Sequence, residues 1–257
     1  MDPWNPAQYE RFRAERRQPF DDLLALVERR AGMRTVDLGC GTGDLTRDLH
    51  RALQAASTLG VDRSPRMLER ATGLDEPGLT FVRQDIASLP AEARFDLVFS
   101  NAALQWLPDH PALLARLTRA VAEGGQLAFQ VPASGLAARQ IAADVALTEP
   151  FRSALGGWTR DVITALQPVE YAALLYQLGY RRQHVRLQIY PHVLADREQV
   201  FEWMKGTLLT AYEERLPADL RTAFLEAFRA RLLDTLEDAR PFFYAFPRIL
   251  CWGARGE

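Results

Sequence analysis

The sequence predicts an α/β fold: a doubly wound, mostly parallel sheet of seven strands with helices on both faces and a helical cap. Three observations carry that expectation. From about Met33 to Val131, short β-branched or apolar runs alternate with helical patterns, as in a parallel sheet flanked by helices. Beyond Val131 helical periodicity dominates, interrupted by two strand-like runs. The chain has 257 residues, enough to bury a sizeable core as one large domain or a domain plus a cap.

Pro19–Arg30 comes first, with Phe20, Leu23, Leu24 and Val27 at the spacing of an amphipathic helix. Strands are expected at Arg34–Leu38, Thr58–Asp62, Leu79–Arg83, Phe95–Ser100 and Gln126–Val131. Asp44–Leu53 reads as the helix after the first strand. A second helix starts at Ser64–Pro65, an N-cap with proline at the first helical position. A third follows Asp109, again a cap with a proline two residues on. Downstream, Leu136–Leu147, Val169–Leu178, Arg197–Leu209 and Asp219–Leu236 carry helical periodicity. Gln183–Tyr190 and Phe243–Trp252 read as strands that finish the sheet, with the helices between them as a lid over its open edge.

Composition excludes several classes. Hydrophobic residues make up 48% and charged residues 25%, which argues against wholesale disorder. No apolar run approaches the roughly 20 residues that span a bilayer. The N-terminus lacks the basic stretch and apolar block of a signal peptide, so the expected compartment is the cytoplasm. A net charge of −2 offers no electrostatic footprint for nucleic acid. Lys205 is the single lysine among 31 basic residues, read here as a bias of coding composition. Cys40 and Cys251 form no CxxC pair, and His50, His110, His184 and His192 lack ligand spacing, so no metal site is expected.

The informative stretch is Val36-Asp37-Leu38-Gly39-Cys40-Gly41-Thr42-Gly43, which leaves the first strand and opens a helix at Asp44. Its glycines allow a tight turn and close approach of a ligand to backbone, with the helix N-terminus donating N–H groups. Asp62 closes the next strand, where a carboxylate can accept both hydroxyl protons of a ribose. Gln84-Asp85-Ile86, at the end of the third strand, suits the edge and face of an adenine. The buried run Phe95-Asp96-Leu97-Val98-Phe99-Ser100 delivers Asn101 to the same carboxyl rim, where ligands of doubly wound sheets bind. Four strand ends thus each offer a suitable group.

Gly39-Cys40-Gly41-Thr42-Gly43, Asp62, Asp85 and the Phe95–Asn101 block resemble the class I S-adenosylmethionine-dependent methyltransferases, whose fold is Rossmann-like. The GxGxG spacing differs from the GxGxxG of nicotinamide dehydrogenases. The resemblance implies S-adenosyl-L-methionine as cofactor, the glycine loop near its methionine part, Asp62 on the ribose, and Asp85 and Ile86 on the adenine. Asp37, Gly39, Gly41, Gly43 and Asn101 complete the expected cofactor set. Glu123-Gly124-Gly125 would be the turn before strand five. The organisation expected is residues 1–132 as N-terminal helices plus a cofactor-binding core and residues 133–257 as the cap, intertwined as one domain.

A narrower resemblance extends over nearly the whole chain. Trp4-Asn5-Pro6 with Tyr9, Phe12, Glu15-Arg16 and Pro19, the run Asn101–His110 containing Gln105-Trp106, Pro168 with Tyr171, and Ala245-Phe246-Pro247-Arg248 are similar to trans-aconitate 2-methyltransferases. The resemblance implies a small carboxylic acid as acceptor and no obligatory general base, because a carboxylate with a pKa of about 4 is already ionised at pH 7. Catalysis would then rest on positioning, with Gln105 and Trp106 walling the transfer pocket. A buried polycarboxylate needs cations, and Arg248 is the first candidate; Arg16 is the second, assigned to the cofactor's own carboxylate. Tyr9 and Tyr171 could each donate a hydroxyl to the acceptor. Trp203, Tyr212 and Phe224 are expected to pack within the cap.

Three other readings stand beside this one. The acceptor could be a malonyl-thioester carboxyl, the chain could bind the cofactor without turnover, or it could be a nicotinamide dehydrogenase. The last is disfavoured by the glycine spacing.

Overall fold

The computed structural model describes residues 13–90, 94–133, 136–160, 165–206 and 208–256, excluding the side chains of 13–16 and 136. Tyr9 and the Trp4-Asn5-Pro6 stretch lie outside these residues, as does the Arg16 side chain. Among the described residues the elements run α1 (Arg13–Leu24), β1 (Arg34–Leu38), α2 (Asp44–Leu53), β2 (Ser57–Asp62), α3 (Pro65–Ala71), β3 (Leu79–Arg83) and β4 (Phe95–Asn101). They continue with α4 (His110–Ala120), β5 (Val121–Pro132), α5 (Leu136–Ala146), α6 (Phe151–Ala154), α7 (Pro168–Gln177) and β6 (Tyr180–Leu194). The last are α8 (Glu198–Lys205), α9 (Thr210–Arg215), α10 (Ala218–Asp234) and β7 (Phe242–Arg255).

The strands form one seven-stranded sheet in the order β3-β2-β1-β4-β5-β7-β6. Strands β3, β2, β1, β4 and β5 are parallel neighbours, and β7 joins β5 antiparallel, Gln130 opposite Leu250 and Pro132 opposite Arg248. The order reverses at β1, so the carboxyl ends of β1 and β4 flank the switch point at which such sheets bind ligands.

The described residues fall into two compact units. The larger holds residues 14–133, 165–188 and 247–256, and the smaller holds 136–160 and 189–246. In the larger unit the two sheet faces differ. Val36, Leu38, Val98, Leu127, Phe129, Val131, Ile249 and Cys251 share one apolar core with α4 and α7. Alternation sends Asp37, Phe99, Asn101, Gln126 and Gln130 to the other face. There Phe20 of α1 meets Phe99 edge to face. The smaller unit has its own core, in which Phe224 of α10 packs on Phe151 and stacks on Tyr212. Trp203, Tyr212 and Phe224 are all buried within that unit.

Local chemistry explains the boundaries. Ser64 caps α3 by accepting from Met67 N, and Asp109 caps α4 by accepting from Ala112 N. The predicted helix at Pro19–Arg30 instead runs Arg13–Leu24 with Pro19 inside it. Its apolar stripe is buried as expected, but Leu26 and Val27 belong to the tight turns that follow. The expected helix Arg197–Leu209 ends at Lys205, where Gly206 caps it. Strand β5 begins at Val121 rather than after Glu123-Gly124-Gly125. Its pairing jumps from Val121 to Gln126 against Phe95 and Leu97, so the glycines form a bulge inside the strand.

Candidate active site

The loop after β1 is fixed by its backbone. Gly39 and Cys40 N–H groups both donate to the Val61 carbonyl, at 2.8 and 3.0 Å, and Gly43 N donates to Cys40 O. Gly39 adopts φ 79°, and a Cβ there would lie 2.2 Å from the Ala103 Cβ and 3.8 Å from Ile86 Cδ1. Gly43, at φ 81°, backs onto the Phe81 ring, 2.9 Å from its own notional Cβ. Only glycine serves at either position. Gly41 differs, because a Cβ there would meet nothing within 4 Å among the described residues. The loop is open at that point.

Asp62, at the end of β2, locks this loop. Its Oδ2 accepts from Gly41 N at 3.0 Å and its Oδ1 from Ser64 N at 2.8 Å. Asp85, after β3, is exposed and caps the turn Ile86–Ser88 through Ala87 N at 2.8 Å. Ile86 is buried against the core below Gly39. Asp37 lies on β1 itself, buried, with Oδ2 accepting from Thr46 Oγ1 at 2.6 Å. Burial raises its carboxyl to about 7; the Thr46 hydrogen bond opposes the rise and the Asp62 charge adds to it.

The end of β4 supplies the other wall. Ala102 takes φ 58°, a left-handed bend that turns the chain into the Leu104–Trp106 turn. Gln105 is buried and donates to the Ala102 carbonyl at 2.6 Å, and Trp106 is half-buried. Asn101 Oδ1 accepts from Gln130 Nε2 at 2.6 Å, and Gln130 Oε1 accepts from the Arg248 guanidinium at 2.9 Å. Arg248, 4% exposed, sits where β7 pairs with the carboxyl end of β5. The structure thus places Asp37, Gly39, Gly41, Gly43, Asp62, Asp85, Ile86, Asn101, Gln105, Trp106 and Arg248 along one carboxyl rim.

Tyr171 lies apart from these residues. It packs edge to face on Phe129, which points to the opposite side of β5 from Gln130. Fully buried there, it hydrogen-bonds His110 Nδ1 at 2.5 Å, and His110 Nε2 donates to the Leu104 carbonyl at 3.0 Å. The sheet lies between this hydroxyl and Arg248, so the structure does not bring these two expected acceptor contacts together. Burial lowers the His110 pKa and raises that of Tyr171, keeping both neutral. What sequence reasoning missed is Gln130 and the His110–Tyr171 pair. The signal for the first was present: Gln126 and Gln130 are the polar residues of the otherwise apolar run Gln126–Val131.

Two observations test whether the rim fits an adenosyl sulfonium cofactor. Asp37 Oδ1 is buried with no hydrogen-bond partner among the described residues, a place for a donor or cation from a ligand. The Asp62 carboxylate that closes β2 beside the loop is an acceptor of the kind ribose hydroxyls need. The residues fit. Burial pushes both thiols, Cys40 and Cys251, far up, so neither is a nucleophile. Among the described residues no cluster could hold a metal.

The comparisons agree with this geometry. A methyltransferase-domain family model matches residues 35–125. A trans-aconitate 2-methyltransferase of Deinococcus radiodurans is 41% identical, covering 99% of this chain and 99% of that one. One of Methylobacterium nodulans is 39% identical, with 97% of each chain covered. Among solved structures, YcgJ of Bacillus subtilis matches with a TM-score of 0.61 at 17% identity, over 94% of this chain and 99% of that one, a likeness of fold. Sheet order, glycine loop and matches define the class: an S-adenosylmethionine-dependent methyltransferase. Within it, the chain belongs to the trans-aconitate 2-methyltransferase family.

One prediction arises directly from the loop. Asp62→Ala removes the acceptor of Gly41 N and the proposed ribose contact, so S-adenosylhomocysteine affinity measured by calorimetry should fall by about 1–3 kcal/mol. Unchanged affinity would remove Asp62 from the cofactor site.

Proposed function

We propose that the protein transfers the methyl group of S-adenosylmethionine to one carboxylate of trans-aconitate, releasing a monomethyl ester. The observation that carries this reading is the buried Arg248 guanidinium at the carboxyl rim, held through Gln130 beside Asn101. A cation there is the counterpart that a desolvated polycarboxylate requires. The names of full-length relatives point to the same acceptor.

Bound S-adenosylmethionine supplies an electrophilic sulfonium methyl. The residues of the chain hold and orient. Asp62 holds the ribose, Asp85 and Ile86 take the adenine, and Asp37 with the open backbone at Gly41 takes the aminoacyl part. Arg248 binds the acceptor carboxylate, and Gln105 and Trp106 wall the pocket. No proton need be removed, because the acceptor is already ionised at neutral pH. This matches His110, which is engaged at both ring nitrogens on the far side of the sheet. Positioning of two reactants of this kind is worth up to about 7–11 kcal/mol.

The test is the pH dependence of kcat at saturating cofactor. With trans-aconitate it should be nearly flat above about pH 6. A steep rise near pH 7–8 would show a base at work and overturn the carboxylate reading in favour of a hydroxyl or amine acceptor.

A further inference from the structure

Gln130 stands apart from the other buried polar residues of the sheet. It is 1% exposed, opposite Leu250 in the antiparallel pair β5–β7 and level with Asn101 in the parallel pair β4–β5. Its amide therefore lies between Arg248 and Asn101, and both of its ends are used. The oxygen accepts from Arg248 and the nitrogen donates to the Asn101 oxygen. The two bonds fix the amide's orientation, since rotating it by 180° would set donor against donor at Arg248 and acceptor against acceptor at Asn101.

The same strand carries a second buried glutamine four residues earlier, with a different role. Gln126 accepts from the Trp252 indole and the Glu28 backbone N–H, and it donates to the Glu28 carbonyl. Those partners tie the segment after α1 to the sheet. Gln130 instead joins two rim side chains, one on each side of it.

We propose that Gln130 is a positioning residue for methyl transfer: its carbonyl aims the Arg248 guanidinium at the acceptor carboxylate without adding a negative charge. Its amide nitrogen at the same time holds the Asn101 oxygen. This rests on the reading of Arg248 as the acceptor's cation. A glutamate at position 130 would have the same shape and would pair with Arg248 as a carboxylate. It would then compete with the substrate for the same guanidinium.

The test compares Gln130→Glu, Gln130→Met, Gln126→Met and Arg248→Lys, each with S-adenosylhomocysteine calorimetry, melting temperature, and kcat and KM for trans-aconitate. Gln130→Glu should raise the acceptor KM by about tenfold or more, the scale of one hydrogen bond to a charged group, in a protein that still binds S-adenosylhomocysteine. Gln130→Met, which removes both bonds without introducing charge, should raise it less, and carries the test alone if the glutamate variant does not fold. Gln126→Met should lower the melting temperature with no acceptor-specific change in KM. If the Gln130 variants keep the wild-type KM while Arg248→Lys raises it, Gln130 is only a core residue and the proposal is overturned. If none of them, Arg248→Lys included, changes the acceptor KM, the assignment of Arg248 itself falls, and this proposal with it.

Discussion

Replacing Gly39 by alanine should abolish cofactor binding and lower the melting temperature by about 5–15 °C. Two costs combine. Gly39 sits at φ 79°, where an L-residue with a Cβ is strained by roughly 1–2 kcal/mol. The new methyl would also lie 2.2 Å from the Ala103 Cβ, an overlap relieved only by moving the backbone after β1 or after β4. Overpacking of this kind costs about 1–3 kcal/mol, and a kilocalorie shifts a domain of this size by about 2–4 °C. Both segments belong to the rim, so the displacement opens the site itself. The two costs can be separated. Ala103→Gly in the same chain removes the overlap but leaves the backbone strain, so the double variant should regain part of the lost stability and not all of it. Full recovery would mean that the left-handed backbone costs nothing here.

The second large effect is a dependence of stability on pH that belongs to Asp37. Its carboxyl is raised by burial from 3.8 to about 7 in the folded chain. Between those values the unfolded chain has lost the proton that the folded chain keeps. This contribution to stability is fully present below about pH 4 and is lost as pH rises through about 7. Asp37→Asn keeps an acceptor for the Thr46 hydroxyl and removes the titration. Relative to the wild type, the variant should therefore gain stability as pH rises from about 4 to about 7, by up to about 4 kcal/mol at 1.4 kcal/mol per unit. Urea unfolding of both proteins without ligand across this range measures the difference. A difference that stays constant with pH would show that Asp37 is ionised throughout.

The fold was legible where its signals are local. Arg34–Leu38, Asp44–Leu53 and Leu79–Arg83 lie where the sequence predicts them, because strand runs, caps and glycines act over a few residues. The start of α1 was not, because Pro19 reads as a first helical residue while the helix carries it in its second turn. The glycine loop and Asp62 were legible in the site for the same reason. Gln130 and Tyr171 were not, since their roles are set by register across strands. A residue's face of the sheet follows from pairing, and Tyr171 lies against Phe129 while Arg248 lies against Gln130. Resemblance pointed to both Tyr171 and Arg248, and only the register separated them.

The account is tested most directly by incubating the protein with S-adenosylmethionine labelled in its methyl group and with trans-aconitate, and analysing the products by mass spectrometry. It predicts equimolar S-adenosylhomocysteine and a monomethyl ester carrying the label. Cofactor binding with no labelled ester, or a label found on a hydroxyl or amine acceptor in place of the carboxylate, would contradict it.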